Sequence, residues 1–240
     1  MGRTDDCECN AETDGSGIRT TAARARVDTP DLSVLRANGH SVEYELLGWP
    51  PDGPKLRLDY ERFSYAGKFV MTNTGKAVAR DARTDLDESA AAAEIDGSVA
   101  EVPIVAAVAF NQDRTDEGTL WLRYVTVERS RRGEGIGPQL LALVRDRARE
   151  RGYEQLRIAV NNPFAYEALY RTGFAYTGET TGIAELVLEY PVPSDDADSS
   201  EFERYQAGLE QFRNRDLSDE EAQFLDSRRD SNPPESESSG

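Results

Sequence analysis

Seven residues between a predicted strand and a predicted helix have the composition of an anion-binding loop: Arg131, Arg132, Gly133, Glu134, Gly135, Ile136 and Gly137. Three glycines in five residues leave backbone N–H groups uncovered, so a ligand can approach them closely. The start of a helix adds partial positive charge, which favours an anion there, and the two arginines add full charges. The pattern predicts a pocket for a pyrophosphate, against the simpler interpretation of a turn that only reverses the chain.

Regular elements are predicted on both sides of this loop. Residues 120–127 predict a strand, and residues 102–110 predict its antiparallel hairpin partner. After the loop, residues 136–148 have apolar side chains at helical spacing, and residues 156–160 predict another strand. Strand, loop, helix and strand in this order predict a right-handed β-α-β unit among otherwise antiparallel strands.

Two common nucleotide-binding motifs do not fit the loop. The dinucleotide motif G-x-G-x-x-G requires a last glycine where this chain has Pro138 or Leu140. A P-loop requires Ser or Thr after Gly-Lys, and neither Lys68 nor Lys76 is followed by one. The pyrophosphate must therefore belong to another kind of coenzyme.

The loop and a second segment together resemble the GNAT acetyltransferase superfamily. The coenzyme A signature of that family, [QR]-x-x-G-x-[GA], is matched by Arg132, Gly135 and Gly137. The segment 160–174 resembles the family's N-x-x-A…Y…G-F pattern, and the residues in step are Asn162, Ala165, Gly173 and Phe174. The resemblance covers residues 103–190 well and residues 41–102 poorly. Two motifs in the right order make it specific.

The resemblance implies a fold and a coenzyme. The fold is α+β (α/β/α layered), the GNAT acyl-CoA N-acyltransferase fold: a mixed, mostly antiparallel sheet with a central β-α-β coenzyme A-binding unit. Acetyl-CoA is implied as cosubstrate, with no metal. Residues 124–127 look like the family's splayed strand, whose backbone pairs with the pantetheine arm. The expected coenzyme-binding residues are Val125, Thr126, Val127, Arg132, Gly133, Glu134, Gly135, Ile136, Gly137, Asn162, Ala165 and Tyr166.

The acid and base are harder to place. The family often uses a tyrosine four residues before the glycine of G-F as general acid, but here that position is Leu169 and Tyr170 comes one residue later. One helical step rotates a side chain by about 100°, so Tyr170 is only a weak candidate, with Tyr166 as a second. The strand position of the family's basic carboxylate is Trp121. We assign no base; the carboxylates considered are Asp116, Glu117, Glu128 and Glu185, and a chain of waters is an alternative.

The composition is strongly acidic. The 240 residues carry 45 Asp and Glu against 28 Lys and Arg, a formal charge of −17, and 25 of those cations are arginine. Such a charge repels polyanions and argues against nucleic-acid binding. Two explanations stay open: an acidic protein with a disordered tail, or a halophilic protein adapted to concentrated salt, which the scarcity of lysine favours.

Several other classes of protein are disfavoured. No run of eighteen apolar residues exists, so no membrane span is expected, and residues 1–10 lack the features of a secretory signal. Cys7 and Cys9 are too close for an unstrained disulfide and too few for zinc. The single histidine, His40, lies in a turn-like stretch, which disfavours a Ser-His-Asp or Cys-His hydrolase. We expect a cytoplasmic protein.

Three parts of the chain are predicted from charge and periodicity. Residues 1–40 form a flexible leader with one short helix between Thr29 and Gly39. Residues 41–193 form the GNAT domain, in which residues 42–46, 69–71 and 77–79 suggest strands, residues 56–65 weakly suggest a helix, and residues 81–100 suggest a loop. Residues 194–240 form an acidic tail with 14 acids and 5 bases, two helical segments (one opened by a capping box at Ser218) and a disordered end.

These observations predict an N-acetyltransferase that moves an acetyl group from acetyl-CoA to a primary amine by direct attack. The alternative is a weak or inactive GNAT-like module that binds acyl-CoA. The expected partner is a small-molecule or peptide amine, and a homodimer is possible. Neither nucleic acid nor membrane is an expected partner.

Overall fold

The computed structural model describes residues 32–33, 42–81, 93–192 and 200–236. The strands are β1 (Leu32–Ser33), β2 (Val42–Gly48), β3 (Leu56–Arg57), β4 (Gly75–Asp81), β5 (Glu94–Ile95), β6 (Ser98–Val99), β7 (Ile104–Gln112), β8 (Thr119–Val127), β9 (Gln155–Val160), β10 (Ala175–Thr180) and β11 (Leu186–Tyr190). The helices are α1 (Ile136–Glu150), α2 (Pro163–Tyr170), α3 (Glu201–Arg213) and α4 (Asp219–Ser227). Within the described residues, no helix combines the length and apolar character that crossing a bilayer requires.

Eight strands form the main sheet, in the order β1-β2-β4-β7-β8-β9-β11-β10. Each neighbouring pair in this sheet is antiparallel except β8 and β9, which are parallel. The predicted hairpin of β7 with β8 and the predicted β8-α1-β9 unit are both confirmed. The fold is therefore α+β with a mixed, mostly antiparallel sheet, as predicted.

Helix α1 packs its apolar side on the sheet. The predicted stripe is buried, with Ile136, Leu140 and Val144 each at most 3% exposed. The helix ends at Glu150, and Gly152 follows the C-cap residue Arg151 with a φ of 95°, in the left-handed region that glycine adopts without strain. The same apolar core includes residues of α2, α3 and α4.

The other side of the sheet is covered by a second core without an α-helix among the described residues. It is built by residues 56–69 together with side chains of β4 and β7. The predicted helix over residues 56–65 is wrong, because β3 and a series of turns occupy this stretch. The predicted strand over residues 69–71 is also wrong, since these residues form a turn. Within the predicted loop, β5 and β6 form a short hairpin that pairs with β3, and residues 82–92 lie outside the described residues.

The two predicted C-terminal helices are confirmed, and each begins at a capping box. Ser200 caps α3 with Glu203, and Ser218 caps α4 with Glu221. Tyr205, Leu209, Phe212 and Leu225 are buried in the main core. Residues 231–236 have described positions, whereas residues 237–240 lie outside the described part. The division at residues 40 and 193 stays a prediction.

Most of the leader, including Cys7, Cys9 and His40, lies outside the described residues. The predicted helix between Thr29 and Gly39 is contradicted where it can be seen, because Leu32–Ser33 forms a strand against β2. The reason is tertiary: pairing with the edge of the sheet prevails over the weak local capping signal.

Candidate active site

A bulge in β8 opens the sheet between its two parallel strands. Leu122 pairs with Phe110 of β7 and Tyr124 pairs with Ala109, so Arg123 is an extra residue on β8. A bulge of this kind bends the strand and increases its twist. The pairing of β8 with β9 ends at Leu122, although β8 continues to Val127. A gap therefore separates residues 123–127 from the end of β9.

The backbone of two valines faces this gap. The N–H of Glu128 donates to the Val105 carbonyl of β7 at 2.9 Å. Because antiparallel strands alternate between hydrogen-bonded and non-hydrogen-bonded pairs, the N–H and C=O groups of Val127 and Val125 point away from β7, toward the gap. In agreement with this, the Nε of Arg132 lies 3.5 Å from the Val127 carbonyl oxygen. The predicted coenzyme-pairing role thus fits the backbone of Val125 and Val127, whereas Thr126 pairs its backbone with β7.

The glycine loop leads from the end of β8 into α1. Gly135 has a φ of 80°, occupies the N-cap position and supplies no side-chain cap to the helix. The N–H groups of the first turn are therefore available to an anion. A Cβ on Gly137 would lie 3.3 Å from the Val127 side chain, so the helix start approaches the splayed strand closely. Ile136 turns its side chain into the core, and only its backbone can serve the loop.

Of the two arginines predicted to bring positive charge to this loop, only one does so without a carboxylate partner in the part of the chain that the structure describes. Arg131 is held by Glu134 at 2.8 Å and by Asp81 at 3.0 Å, and the hydrogen bonds that it donates to these carboxylates raise its pKa. Arg131 and Glu134 are thus a structural ion-pair group. Arg132 donates to the Ser64 hydroxyl at 3.0 Å and contacts no carboxylate among the described residues. It is the motif arginine that keeps an unneutralised charge near the loop.

The second motif forms the start of α2. The Asn162 side chain accepts a hydrogen bond from the Ala165 N–H at 2.9 Å, and Pro163 occupies the first helical turn. Asn162 is therefore an N-cap residue, a structural role that accounts for an asparagine at the start of α2. The cap orients the helix that follows β9, at one side of the gap.

Tyr166 and Tyr170 face the C-terminal helices. Tyr166 is fully buried and donates to the Tyr205 carbonyl at 3.1 Å. The Tyr170 hydroxyl accepts from the Tyr176 N–H at 3.1 Å and lies 3.3 Å from that of Tyr166. Burial raises the pKa of both hydroxyls. Tyr166 as a coenzyme ligand and Tyr170 as the general acid stay predictions, and these contacts oppose both roles.

A loop that the sequence does not single out completes the site. Residues 59–65, here named the 59–65 loop, lie against the segment between β8 and α1. Arg62 forms an ion pair with Glu128 at 2.9 Å, and Arg129 donates to backbone carbonyls of Tyr60 and Glu61. The Tyr65 ring packs on that of Tyr124 at 6.0 Å, on the side of the sheet opposite α1.

The carboxylates considered as bases are widely separated. Asp116 accepts from the Gly118 N–H in the turn before β8, so it and Glu117 lie at the far end of that strand from the gap. Glu185 lies in the turn between β10 and β11, where its N–H donates to the Thr181 hydroxyl oxygen. Glu128 directly follows the open stretch of β8 and is the one of the four that adjoins it.

This geometry coincides with a family match. The model described as the acetyltransferase (GNAT) family matches residues 54–174, half of the chain, and includes the gap, the glycine loop and α2. The chain belongs to the GNAT acetyltransferase family. The matched segment ends at Phe174, so α3 and α4 lie outside it.

Individual relatives of this GNAT protein are distant. Acetyltransferase Atu2258 of Agrobacterium fabrum is 38% identical over 64 residues, which cover 27% of this chain and 47% of that protein. The chain thus spans about half the length of this curated relative. Among solved structures, nourseothricin acetyltransferase has a TM-score of 0.39 at 18% identity and covers 63% of this chain and 99% of its own. Ribosomal-protein-alanine N-acetyltransferase from Brucella melitensis has a TM-score of 0.36 at 21% identity, covering 50% and 69%.

Proposed function

We propose that this GNAT protein is an acetyl-CoA-dependent N-acetyltransferase that acts on a primary amine. The observation that carries the proposal is one continuous polar track. It begins at the open edge of β8, where Val125 and Val127 present backbone groups, and ends at the N–H groups of Gly135–Gly137. Coenzyme A has matching parts, because its pantetheine arm contains amides and its far end contains a pyrophosphate.

The residues of the track have distinct tasks. The backbone of Val125 and Val127 would hold the arm like an added strand. The N–H groups at the start of α1 and the charge of Arg132 would hold the phosphates. Bound acetyl-CoA supplies the thioester, whose carbonyl carbon the amine attacks. A backbone N–H of β8 would then stabilise the oxygen on which negative charge develops. Placing both reactants in one gap supplies the required proximity.

Departure of the thiolate requires little general-acid catalysis from the protein. A thiol is a much stronger acid than an alcohol or an amine, with a pKa of about 8.5 in cysteine, so a thiolate leaves with less help from a proton donor than those groups need. The buried positions of Tyr166 and Tyr170 are therefore compatible with turnover. They also favour the alternative, a module that binds acyl-CoA without efficient transfer, because neither hydroxyl is free to act.

Coenzyme binding tests the track. Gly137→Val inserts a side chain beside Val127, and we expect the Kd for coenzyme A to rise about tenfold or more, as loss of one or two hydrogen bonds to a charged group predicts. Gly67→Val is the matched control, because no atom lies within 4 Å of a Cβ at Gly67 and its affinity should be unchanged. Equal affinities of the two variants would contradict the proposal.

Turnover separates the enzyme from the binding module. Release of coenzyme A from acetyl-CoA should be measured with polyamines, amino acids, aminoglycosides and peptides with a free amino terminus. Each assay should be run in low salt and in molar KCl, because the net charge of −17 motivates a halophilic origin. Amine-dependent release establishes the enzyme, whereas binding without release by any amine establishes the module.

A further inference from the structure

Two buried oxygen atoms beside the gap have no hydrogen-bond partner among the described residues. They are Oγ1 of Thr126 and Oε2 of Glu128. Thr126 is 4% exposed and Glu128 is 9% exposed. An unsatisfied buried polar group costs about 1–3 kcal/mol, so such groups are rare in folded proteins. Two of them separated by one residue, at the end of the splayed strand, require an explanation.

Both oxygens lie on the side of β8 that the 59–65 loop covers. Successive side chains of a strand alternate between faces, so Thr126 shares its face with Tyr124, whereas Val125 and Val127 pack toward α1. The Tyr124 ring contacts Tyr65. Thr126 therefore lies between the two valines that face the gap, with its hydroxyl on the side away from α1.

Only one of the two oxygens of the Glu128 carboxylate accepts hydrogen bonds from the described residues. Its Oε1 accepts from Nε of Arg62 at 3.1 Å and from the Ser130 hydroxyl at 3.0 Å. Arg62 thus binds one oxygen and leaves Oε2 without a donor. The Glu128 oxygen can only accept a hydrogen bond, whereas the Thr126 hydroxyl can accept or donate one. The carboxylate therefore favours N–H donors carried by a cation and would repel an anionic group, and the hydroxyl can accept from the same donors.

Resting on the proposed function, we infer that Thr126 Oγ1 and Glu128 Oε2 receive the N–H groups of the acceptor, which is a cationic primary amine. The coenzyme arm would use the edge of β8, and the acceptor would approach from the face of the 59–65 loop, which covers both oxygens in this structure and has to move aside to admit it. The Thr126 hydroxyl then holds the amine beside the thioester, and the Glu128 carboxylate balances the positive charge of the acceptor. Neither oxygen needs a partner within the protein in this arrangement.

Thr126→Val tests the inference with an unusual combination of results. The change keeps the shape of the side chain and removes an unsatisfied hydroxyl, so the melting temperature should stay the same or rise. The KM for spermidine, tyramine or kanamycin should rise about tenfold, as loss of a hydrogen bond to a charged group predicts. The Kd for coenzyme A should not change. Thr126→Ser retains the hydroxyl and should restore the KM.

Thr172→Val is the matched control. Thr172 is 2% exposed, but its hydroxyl donates to the Leu169 carbonyl at 2.8 Å. Its replacement should lower the melting temperature and leave the KM for the amine unchanged. Glu128→Gln should raise the KM for the same amines and have a smaller effect on the KM for acetyl-CoA, because it removes the charge of the group that faces the acceptor.

Failure of the proposed function and failure of this inference give different experimental results. Wild-type protein that does not bind coenzyme A contradicts the proposed function. Wild-type protein that binds coenzyme A and transfers acetyl groups to other amines, but to none of the three cationic amines, overturns the inference alone. A Thr126→Val variant with an unchanged KM, or one that loses stability as Thr172→Val does, also overturns it, because the hydroxyl would then have a structural partner.

Discussion

The gap beside β8 and the contact between α2 and the C-terminal helices differ in how their polar groups are partnered. In the gap, the backbone of Val125 and Val127 faces away from β7 without pairing to β9. The side chains of Thr126 and Glu128 each keep an oxygen without a partner among the described residues. Apart from the Val127 carbonyl oxygen, which lies 3.5 Å from Nε of Arg132, these groups can be satisfied by the donors and acceptors of another molecule.

In the second region, the buried carboxylate and the tyrosine hydroxyls are paired within the protein, although Nε of Arg213 in α3 has no partner among the described residues. The buried Glu167 carboxylate receives hydrogen bonds from Arg228 at 2.6 Å, from Arg171 at 2.8 Å and from the Tyr205 hydroxyl at 3.3 Å. The Tyr166 ring packs directly over Gly208 of α3. This closure is characteristic of a permanent internal contact, whereas the gap has the character of a binding site. The difference predicts that mutations in the second region change stability, and that mutations in the gap change binding.

The largest expected effect on stability comes from Gly208→Val. A Cβ at Gly208 would lie 2.0 Å from the Tyr166 hydroxyl oxygen and 2.4 Å from its ring, so α3 must move away from α2. We expect a loss of about 3 kcal/mol in the free energy of unfolding, as overpacking of a core predicts. Helix propensity alone predicts the opposite sign, since glycine is a poor helix former.

Urea unfolding of the full chain measures this loss. Because coenzyme A should bind outside the contact, the folded fraction of the variant should keep the wild-type Kd. A variant as stable as wild type would show that α3 is not seated on α2 as described.

Glu167→Gln should have an intermediate effect of about 2 kcal/mol, because it weakens three hydrogen bonds to a buried charge. Burial alone would raise the pKa of Glu167, but hydrogen bonds and charges of Arg228 and Arg171 outweigh it and leave the pKa below its usual 4.5. The stabilisation is therefore complete above pH 4.5 and is lost as the pH falls through the lowered pKa.

Urea unfolding of wild type and Glu167→Gln at several pH values checks both the size and the sign. The difference between the two proteins should be constant near neutrality and should shrink in acid. A difference that grows in acid would mean that the carboxylate is protonated in the native state.

Local signals account for the parts of the fold that could be predicted. The β8-α1-β9 unit follows from an apolar strand, a glycine loop and a regular helical stripe, all within about forty residues. The helices α3 and α4 each carry a capping box, which sets a helix start from four consecutive residues. The position of the glycine loop between β8 and α1 was predictable for the same reason, since its glycines act through their own backbone; its coenzyme-binding role stays a prediction.

Contacts made by polar side chains, both near and distant in sequence, account for the parts that were missed. The turn at residues 71–74 is held by the buried Lys76, whose Nζ donates to the Met71 carbonyl at 2.6 Å and to the Thr74 carbonyl at 3.1 Å, and burial lowers the pKa of this lysine to about 8. Arg131 is neutralised in part by Asp81, fifty residues away. No periodicity in the sequence marks such partners.

The 59–65 loop and the tyrosines show the same limit at the site. The loop is positioned by Arg129 and by the ion pair of Arg62 with Glu128, neither of which a local pattern indicates. Tyr170 was the best candidate acid from the motif alone, but the single-residue offset places its hydroxyl against the backbone of β10. The tyrosines of α2 are buried because α3 packs on them, and the sequence does not indicate the position of α3.

The smallest expected effect concerns Asn162, for which a coenzyme-binding role and a structural role are both proposed. Asn162 matches the family motif, and its side chain caps α2. Asn162→Ala should cost about 1 kcal/mol of unfolding free energy, the usual cost of a lost N-cap. Asn162→Asp keeps an oxygen that can accept from the Ala165 N–H, so the cap and the stability should be retained. Urea unfolding and coenzyme A titration of both variants decide the role: with a purely structural Asn162, Asn162→Asp leaves the Kd unchanged. A weakened affinity in Asn162→Asp at wild-type stability would instead assign its amide group to the coenzyme and extend the binding track from α1 to α2.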